Sequence, residues 1–372
     1  MIAPEELARR LRPQFARTLA EHPGIYLANH SLGRPPDRAA ADVAAALAAW
    51  YQDQGEAWDA WLATREKFRA LTARLVGVPD GKAIVPKTSA GQGLRAVLNA
   101  HDAKLRVVAS DEEFDSIDFI LRVYRERGRI ELRMEPWRRL RPEGADLVVL
   151  SSVLFRTGEI VEGLPELVRR AHAAGAKVLL DVYHHAGVLP VDLAALDVDF
   201  AIGGSYKYLR GGPGACWLYV HPRHQGLVTL DTGWFAKEDV FGYARPDPPR
   251  FAAGGDAWLE STPPVLAPAQ ALAGLEFTLE TGVARLRAFH LEQKRRFGEI
   301  LKGEGVAAEG AGADHGAFLS VRHDDAVRLS AELMRRGVKT DARGDRLRLC
   351  ADFLNTEEEL ATAARKLAEL LR

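Results

Sequence analysis

The sequence is poor in cysteine and in long hydrophobic segments, and both shortages exclude classes of protein. Its 372 residues include two cysteines, Cys216 and Cys350, which cannot form a framework of disulfide bonds and favour a reducing compartment. No apolar run approaches the length of a membrane span, and residues 1–21 lack the hydrophobic core of a signal peptide. We therefore expect a soluble, cytoplasmic protein.

The chain also has almost no net charge. Its 50 basic and 51 acidic side chains leave a net charge of −1, and the pI is near 6.9. This balance gives no electrostatic basis for binding nucleic acid or an anionic membrane. With 47% hydrophobic and 27% charged residues, the composition is that of a globular protein with a sizeable core. We expect neither a nucleic-acid partner nor a membrane partner.

Lysine is scarce as well, which draws attention to one lysine. Only 11 of the 50 basic residues are lysines. Lys207 follows a strand-like segment, residues 199–205, and precedes a glycine-rich turn, residues 210–214. A lysine amine can lose its proton and form a Schiff base, which an arginine guanidinium cannot do. A lone lysine at a strand end is more often only solvated, so the catalytic interpretation of Lys207 depends on two further segments.

These two segments lie upstream and supply groups that would complement such a lysine. Residues 177–182 predict a buried parallel strand with Asp181 at the sheet edge where ligands of α/β proteins bind. Residues 82–86 predict another strand, which continues through Thr88 and Ser89 into a helix whose free N–H groups can hold a phosphate. Pyridoxal 5′-phosphate needs a lysine for its aldehyde, a carboxylate for its pyridine nitrogen and an anion site for its phosphate.

The same helix start has a second interpretation. Gly91, Gly93 and Ala96 match the G-x-G-x-x-A pattern of dinucleotide-binding proteins, and Asp111 follows the next predicted strand. The pattern is weak alone, and a nicotinamide cofactor would leave the strand-end carboxylate and the lysine without a role. We therefore favour pyridoxal phosphate over a dinucleotide.

Strand and helix patterns alternate along the middle of the chain and predict an α/β fold. From residue 82 to residue 220 the rhythm implies right-handed crossovers and a mostly parallel sheet sandwiched by helices. Residues 245–268 interrupt this rhythm with glycines and prolines, and residues 318–371 predict a small α+β domain.

The predicted large domain comprises residues 40–255, and the small domain combines residues 1–39 with residues 256–372. Outside the alternating region we predict an amphipathic helix over residues 3–21, helical structure over residues 37–76 and one long helix over residues 268–302.

Four motifs resemble the kynureninase family, and the likeness is strongest over residues 147–236. They occupy residues 150–159, 181–187, 190–193 and 205–214. A Tyr before the lysine and Gly-Gly-Pro-Gly after it favour this family over relatives that carry His before the lysine. The resemblance implies a fold-type I enzyme of the class V aminotransferase superfamily, with a PLP-dependent transferase fold, pyridoxal 5′-phosphate as cofactor and a homodimer with sites at the subunit interface. It further implies hydrolytic cleavage of the Cβ–Cγ bond of L-kynurenine to anthranilate and L-alanine, a step of tryptophan catabolism.

The resemblance also implies roles for individual residues. Lys207 would carry the cofactor and move the proton at the substrate Cα, Asp181 would pair with the pyridine nitrogen, and Tyr206 would assist proton transfer and contact the phosphate. Further cofactor contacts are predicted for Thr88, Ser89, Phe114, His184, Trp234 and Thr262, the last from the partner subunit. Arg348, Ser31 and His30 are predicted to bind the substrate.

Several positions leave alternatives open. Arg346 lies on the same predicted strand as Arg348 and is the second candidate for the arginine that binds the substrate carboxylate. Three residues depart from the family pattern, which often has Asn, Asp and Asn where this chain has His30, Ile117 and Arg210.

Other functions fit the same cofactor residues. A different class V enzyme, an aminotransferase or a β-eliminating lyase acting on another amino acid, is the main alternative, and a protein that binds pyridoxal phosphate without catalysis is a third. A cysteine desulfurase carries its catalytic Cys on the loop before the last strand, and the corresponding loop here, residues 339–345, contains none. His184 and His185 are adjacent, so their side chains diverge, and we predict no metal site.

Overall fold

The computed structural model describes residues 4–372, which form an α/β protein. The strands are β1 Ile25–Tyr26, β2 Ile84–Lys87, β3 Leu105–Ser110, β4 Ile130–Glu135, β5 Leu147–Ser151, β6 Lys177–Asp181, β7 Phe200–Gly204, β8 Cys216–Val220, β9 Leu319–Arg322, β10 Val338–Lys339, β11 Asp341–Arg343 and β12 Arg346–Leu349. The α-helices are α1 Pro4–Leu11, α2 Ala16–Glu21, α3 Arg38–Asp53, α4 Ala57–Leu75, α5 Ala90–Leu98, α6 Asp115–Glu126, α7 Leu164–Ala173, α8 Leu266–Thr281, α9 Val283–Gly303, α10 Ala326–Arg335 and α11 Glu357–Leu371. None of these helices is long and apolar enough to cross a lipid bilayer.

The largest sheet has seven strands in the order β2-β8-β7-β6-β5-β3-β4. Five neighbouring strands, from β7 to β4, run parallel, whereas β8 is antiparallel to both β7 and β2. β5 and β7 are buried along their whole length. Such continuous apolar strands are typical of parallel sheets that helices cover on both faces. The predicted α/β class and the mostly parallel sheet are confirmed.

Side chains of β5 fill two separate cores on opposite faces of this sheet. Val148 and Leu150 pack in one cluster with helix α7, and Leu147 and Val149 pack in another cluster with helices α5 and α6. Because successive side chains of a strand point to opposite faces, the sheet must lie between two layers of helices.

The carboxyl ends of the parallel strands gather polar side chains at one edge. β3 ends at Ser110, β5 ends at Ser151 and β6 ends at Asp181. β7 ends three residues before Lys207. This is the edge at which open α/β sheets bind their ligands.

The C-terminal part of the chain forms a second, smaller unit. β11, β12 and β9 form an antiparallel sheet, and helices α9, α10 and α11 contribute to its core. β1 pairs in parallel with β10, so the N-terminal segment also belongs to this unit by its contacts. Helix α8 packs against α3 and α4, on the side of the large sheet, although it follows the predicted boundary at residue 255. The domain bounds themselves stay a prediction.

Of the three helical segments predicted outside the alternating region, the first and the third are each divided, so the predictions of a single helix are wrong in that respect, whereas the second is confirmed as helical and forms α3 and α4. The first is interrupted by a 3₁₀ turn, Arg12–Phe15, because Pro13 has no N–H for a helical hydrogen bond, and its predicted first residue lies outside the described residues. The second breaks at Gln54, whose φ is 46°. The third breaks at Gly282, whose φ of 88° is a left-handed conformation that suits glycine.

Candidate active site

Strand β7 brings Lys207 to the sheet edge, and two glycines allow the strand to pass its neighbours. A Cβ at Gly203 would lie 2.3 Å from the indole of Trp217, and a Cβ at Gly204 would lie 2.0 Å from the hydroxyl of Tyr183. Both distances are far below van der Waals contact, so a larger residue would force the strand or these aromatic side chains to shift. Beyond the strand, Lys207 is 5% exposed.

The amine of Lys207 lies among one imidazole and three aromatic rings. Its Nζ is 2.7 Å from Nε2 of His184. It also lies 4.8 Å from the ring centre of Tyr183, 5.3 Å from that of Phe114 and 5.6 Å from that of Tyr206. Apolar walls with one nearby hydrogen-bonding group are an environment that disfavours an ammonium ion.

Burial accordingly lowers the pKa of Lys207 from 10.5 to about 7. The negative charge of Asp181 opposes this shift, whereas the positive charges of Arg348 and Arg343 add to it. An amine with a pKa near neutrality can both accept and release a proton at physiological pH.

Asp181 ends β6 and faces the same site. Its Oδ1 accepts a hydrogen bond from the backbone N–H of Tyr183 at 2.8 Å. Burial raises the pKa of Asp181 to about 6, and the Tyr183 N–H and the charge of Lys207 act in the opposite direction. The carboxylate therefore has few protein partners to neutralise it, which suits a group that pairs with a ligand cation.

His184 lies between Lys207 and Tyr208. Its Nδ1 is 3.1 Å from the hydroxyl oxygen of Tyr208, on the side of the ring opposite Lys207. Burial, Lys207 and Arg348 hold the pKa of His184 well below its usual value, so the ring is neutral. A neutral imidazole beside an amine can orient that amine without adding charge.

A cavity of about 290 Å³ joins these groups to the start of helix α5. Seven of the predicted site residues line it, namely Thr88, Ser89, Phe114, Asp181, His184, Tyr206 and Lys207. The structure therefore brings together the residues at the carboxyl ends of β6 and β7 with the proposed phosphate site.

The start of α5 is built by local hydrogen bonds. Ser89 caps the helix, and its Oγ accepts from the backbone N–H of Gln92 at 3.1 Å. The side-chain oxygen of Gln92 accepts from the N–H of Thr88 at 2.7 Å and from its hydroxyl at 3.0 Å. Gly91 and Arg95 also line the cavity at this end of the helix. A helix N-terminus with a nearby arginine provides N–H donors and positive charge for a phosphate.

Close packing explains Gly91 and Gly93, the two glycines that match a dinucleotide-binding pattern. A Cβ at Gly91 would lie 2.8 Å from Ile120 of α6, and a Cβ at Gly93 would lie 2.8 Å from Ile202 of β7. Both glycines therefore let α5 pack closely, and neither requires a dinucleotide.

Trp234 and Thr262 lie apart from the cavity that contains Lys207. The indole N–H of Trp234 donates to Oγ1 of Thr262 at 3.1 Å. Thr262 lines a neighbouring cavity that also includes Thr88. Within one chain, the described residues thus place this pair beside the proposed phosphate site but not in it.

Arg348 and Arg346 have different surroundings on β12. Arg348 is 3% exposed, and its Nη1 donates to the backbone oxygen of Phe155, a residue that lines the Lys207 cavity, at 2.5 Å. Its Nη2 donates to Asp341 at 2.5 Å. Arg346 instead pairs with the exposed Glu309 at 2.5 Å. Arg348 is thus buried against a residue of the cavity wall, whereas Arg346 pairs outward, and neither arginine is among the residues that line the cavity in the described chain.

The other predicted substrate residues differ in position. His30 is fully buried, packs against Phe318 with ring centres 4.9 Å apart and the rings tilted by 37°, and has a pKa held low by burial and by the charges of Arg348 and Lys207. Ser31 is half-buried and is not among the residues that line the cavity in the described chain.

Two departures from the family pattern have structural explanations. Ile117 is fully buried in the core beneath α6, so it makes no polar contact with a cofactor. Arg210 is also buried, and its Nη2 donates to Asp352 at 2.9 Å while its Nη1 donates to the backbone oxygen of Arg34. It thereby ties the turn after Lys207 to the N-terminal segment.

Sequence reasoning missed three charged residues near the site. Glu113 is buried and accepts hydrogen bonds from the N–H and the hydroxyl of Ser151 at 2.8 and 2.7 Å. Burial and the charge of Asp181 raise the pKa of Glu113 to about 8. Asp341 and Arg343, on β11, form ion pairs beside Arg348. Nothing in the acidic run around Glu113 shows which carboxylate is buried.

Neither cysteine is suited to nucleophilic chemistry. Burial raises the pKa of Cys216 above its usual value and that of Cys350 to about 12, so neither thiol forms a nucleophilic thiolate readily. Within residues 4–372 there is no cluster of three side chains that could hold a metal ion.

Comparison with known proteins agrees with this geometry. Residues 57–302 match the model of the family described as "Aminotransferase class-V". A kynureninase from Salinispora tropica is 33% identical over 291 residues, which are 70% of this chain and 68% of that protein. A kynureninase from Deinococcus radiodurans is 30% identical over 345 residues, covering 86% and 82% of the two chains.

Solved structures show the same fold at lower sequence identity. The cystine C-S lyase C-DES, in complex with cysteine persulfide, superposes with a TM-score of 0.84 and 21% identity, covering 96% of this chain and 99% of the other. An apo cysteine desulfurase from Thermococcus onnurineus superposes with a TM-score of 0.82 and 19% identity, covering 100% and 98%. At these identities the likeness shows the fold alone.

The resemblance predicted from the four motifs is thus confirmed, and so is the prediction of pyridoxal 5′-phosphate as cofactor. The buried lysine, the strand-end carboxylate, the aromatic wall and the helix start all lie around one cavity, which fits that group. The chain belongs to the class V aminotransferase family of pyridoxal-phosphate enzymes.

Proposed function

We propose that this enzyme hydrolyses the Cβ–Cγ bond of L-kynurenine to give anthranilate and L-alanine. The observation that carries the proposal is the combination of the Lys207 cavity with a buried arginine, Arg348, whose contact with Phe155 borders that cavity. The similarity to curated kynureninases over most of the chain supports the choice of substrate. The loop of residues 339–345 contains no cysteine, which disfavours desulfurase chemistry.

The residues around the cavity would divide the binding of the cofactor among them. Lys207 would hold its aldehyde carbon, Asp181 its pyridine nitrogen, and the start of α5 at Thr88 and Ser89 its phosphate. Phe114 would pack against the ring. When bound, pyridoxal phosphate withdraws electrons from the substrate Cα, which makes the bonds around that atom easier to break.

Lys207 would then move the proton at the substrate Cα. Its lowered pKa lets the amine accept a proton near neutral pH, and His184, 2.7 Å away, fixes the direction of the amine. The hydroxyl of Tyr206, whose residue also lines the cavity, would assist this transfer.

Arg348 would bind the α-carboxylate of the substrate. A guanidinium can form two parallel hydrogen bonds with a carboxylate, and burial of Arg348 strengthens them. The contact would orient Cα toward Lys207.

We also propose that the enzyme is a homodimer. Trp234 and Thr262 lie outside the Lys207 cavity of their own chain, and Thr262 borders an exposed aromatic surface that includes Trp50 and Tyr51, which are 61% and 80% exposed. Exposed aromatic patches of this kind mark contact surfaces. A second copy packed here would cover the aromatic rings.

The substitution Tyr51→Asp should shift the molar mass in light scattering toward the monomer, and an unchanged dimer would place the contact elsewhere.

The substrate proposal is tested by incubation with L-kynurenine and detection of anthranilate by its fluorescence. Parallel reactions offer pyruvate as an amino acceptor and L-cystine as a source of persulfide. We expect anthranilate and L-alanine in equal amounts and little amino transfer. Amino transfer or C–S cleavage that is faster than anthranilate release would show that the enzyme has another class V activity. It would overturn the proposal of kynurenine hydrolysis.

A further inference from the structure

Asp341 lies opposite Arg348 in the small sheet and contacts two arginines at once. The register of β11 and β12 places the two residues directly across from each other. Oδ2 of Asp341 accepts from Nη2 of Arg348 at 2.5 Å, and Oδ1 accepts from Nη1 of Arg343 at 2.7 Å. One carboxylate therefore bridges the two guanidinium groups whose charges lower the pKa of Lys207.

The contacts of Arg348 leave its Nε without a partner. Nη1 donates to the backbone oxygen of Phe155 and Nη2 donates to Asp341, whereas Nε is buried and has no hydrogen-bond partner among the described residues. A buried N–H of a charged group without an acceptor is costly. A ligand carboxylate that reached Nε would supply the acceptor that the described residues do not provide.

His30 lies beside this cluster. Its Nε2 lies 3.6 Å from Oδ2 of Asp341, which is too long for a hydrogen bond, and both ring nitrogens are buried without partners among the described residues. Since the ring is neutral, it does not compete with Arg348 for the charge of Asp341. The His30 ring, which packs against Phe318, thus restricts the space in which the carboxylate of Asp341 can move.

We propose that Asp341 is a positioning residue that fixes Arg348 in the orientation in which its guanidinium receives the substrate carboxylate. With the Phe155 carbonyl it holds both terminal nitrogens of the guanidinium, so the arginine is oriented before the substrate arrives. The bridge to Arg343 in turn holds Asp341 in place. This inference rests on the proposed role of Arg348 as the carboxylate-binding residue.

The role predicts a selective loss of affinity for carboxylates. Asp341→Asn keeps the shape of the side chain but removes the charge that orients Arg348. L-alanine and ethylamine are a matched pair of ligands, because ethylamine is alanine without its carboxylate. For the protein loaded with pyridoxal phosphate, calorimetry should show alanine binding about tenfold more weakly in Asp341→Asn, and ethylamine binding changed less than about twofold.

Glu309→Gln is the control variant, because it removes the carboxylate that pairs with Arg346 on the same strand, outside the cavity. We expect it to bind both ligands as the wild type does. With the best amino-acid substrate, Asp341→Asn should raise KM more than it lowers kcat. An equal loss of alanine and ethylamine affinity would show a general structural role and overturn the proposal.

Arg348→Lys separates this inference from the proposed function. If Arg348→Lys leaves alanine binding unchanged, the carboxylate is held elsewhere, and the role of Arg348 and that of Asp341 both fail. If Arg348→Lys weakens alanine binding and Asp341→Asn does not, only the role of Asp341 fails. Because Asp341 acts through Arg348, Asp341→Asn should have little further effect in the Arg348→Lys background.

A second variant covers the case in which Asp341→Asn does not fold. Asp341→Glu keeps the charge but moves it by one methylene group, so alanine affinity should fall by an intermediate factor while ethylamine affinity stays constant. Unchanged affinity for alanine in this variant would also contradict the proposal.

Discussion

Two buried lysines of this chain have amines of similar acidity in opposite surroundings. Burial lowers the pKa of both Lys207 and Lys294 to about 7. Lys294 donates to three backbone oxygens, those of Gly310, Gly312 and His315, at 2.7, 3.2 and 3.2 Å. Lys207 lies against one imidazole at the wall of a cavity.

The difference shows that a lowered pKa does not by itself identify a reactive lysine. The amine of Lys294 is enclosed by three backbone oxygens that accept its hydrogen bonds. These bonds connect helix α9 to the loop that follows it. The amine of Lys207 has space in front of it and a carboxylate, Asp181, nearby. Access and partners, rather than acidity, separate the catalytic lysine from the structural one.

The largest expected effect comes from substituting each of the two lysines in a separate variant. Lys207→Ala should lose at least about a thousandfold in kcat, because the group that holds the cofactor and moves the Cα proton is removed. Lys294→Gln should stay within about threefold of the wild type, since Lys294 touches no part of the cavity. Measurement of kcat for both variants checks the comparison, which breaks if the two losses are similar.

Two buried carboxylates, those of Asp181 and Asp352, differ as the two lysines do, in how many partners they have within the protein. Asp352 pairs with Arg34 and Arg210, whereas the contacts of Asp181 inside the protein are few. Asp181→Asn should lower kcat by about 30- to 1,000-fold, which corresponds to about 2–4 kcal/mol, with little loss of folding stability. Asp352→Asn should lower the free energy of unfolding by about 3–5 kcal/mol because it leaves two buried arginines without their partner.

Chemical denaturation and steady-state kinetics of both variants measure the two quantities. A stability loss in Asp181→Asn as large as that in Asp352→Asn would mean that Asp181 is a structural residue as well.

The smallest expected effect concerns the pH dependence of stability. The unfolded chain keeps the proton of Lys294 up to about pH 10.4, whereas the native amine releases it above about pH 7. Between these values the unfolded state binds more protons, so the free energy of unfolding rises with pH. Lys294→Gln removes this contribution and should lower the slope by about 1.4 kcal/mol per pH unit between about pH 8 and 9. Urea denaturation at several pH values measures this slope for the wild type and for Lys294→Gln. Equal slopes for the two proteins would show that Lys294 has an ordinary pKa.

The large sheet and the functional residues that follow its strands could be predicted from the sequence. Apolar runs that end in a carboxylate or lead to a lysine define Asp181 and Lys207 through backbone direction alone, since parallel strands end at one edge. Thr88 and Ser89 could be found in the same way, because a strand-to-helix turn with hydroxyl side chains marks a capped helix start.

Contacts between distant segments were not predictable in this way. The ion pairs of Asp341 depend on the register of two short strands, and the burial of Glu113 depends on Ser151, which is 38 residues away. The breaks at Gln54 and Gly282 reflect single backbone angles, and a hydrophobic pattern that continues across the break does not reveal them.

The identity of the lysine that carries the cofactor is the central point of this account. Borohydride reduction of the protein loaded with pyridoxal phosphate fixes the cofactor on its lysine, and peptide mapping then locates the label. We predict that the label is on Lys207 and that Lys294 and Lys87, which are also buried, remain unlabelled. Labelling of either of these two lysines in place of Lys207, or no labelling at all, would contradict the assignment of the active site.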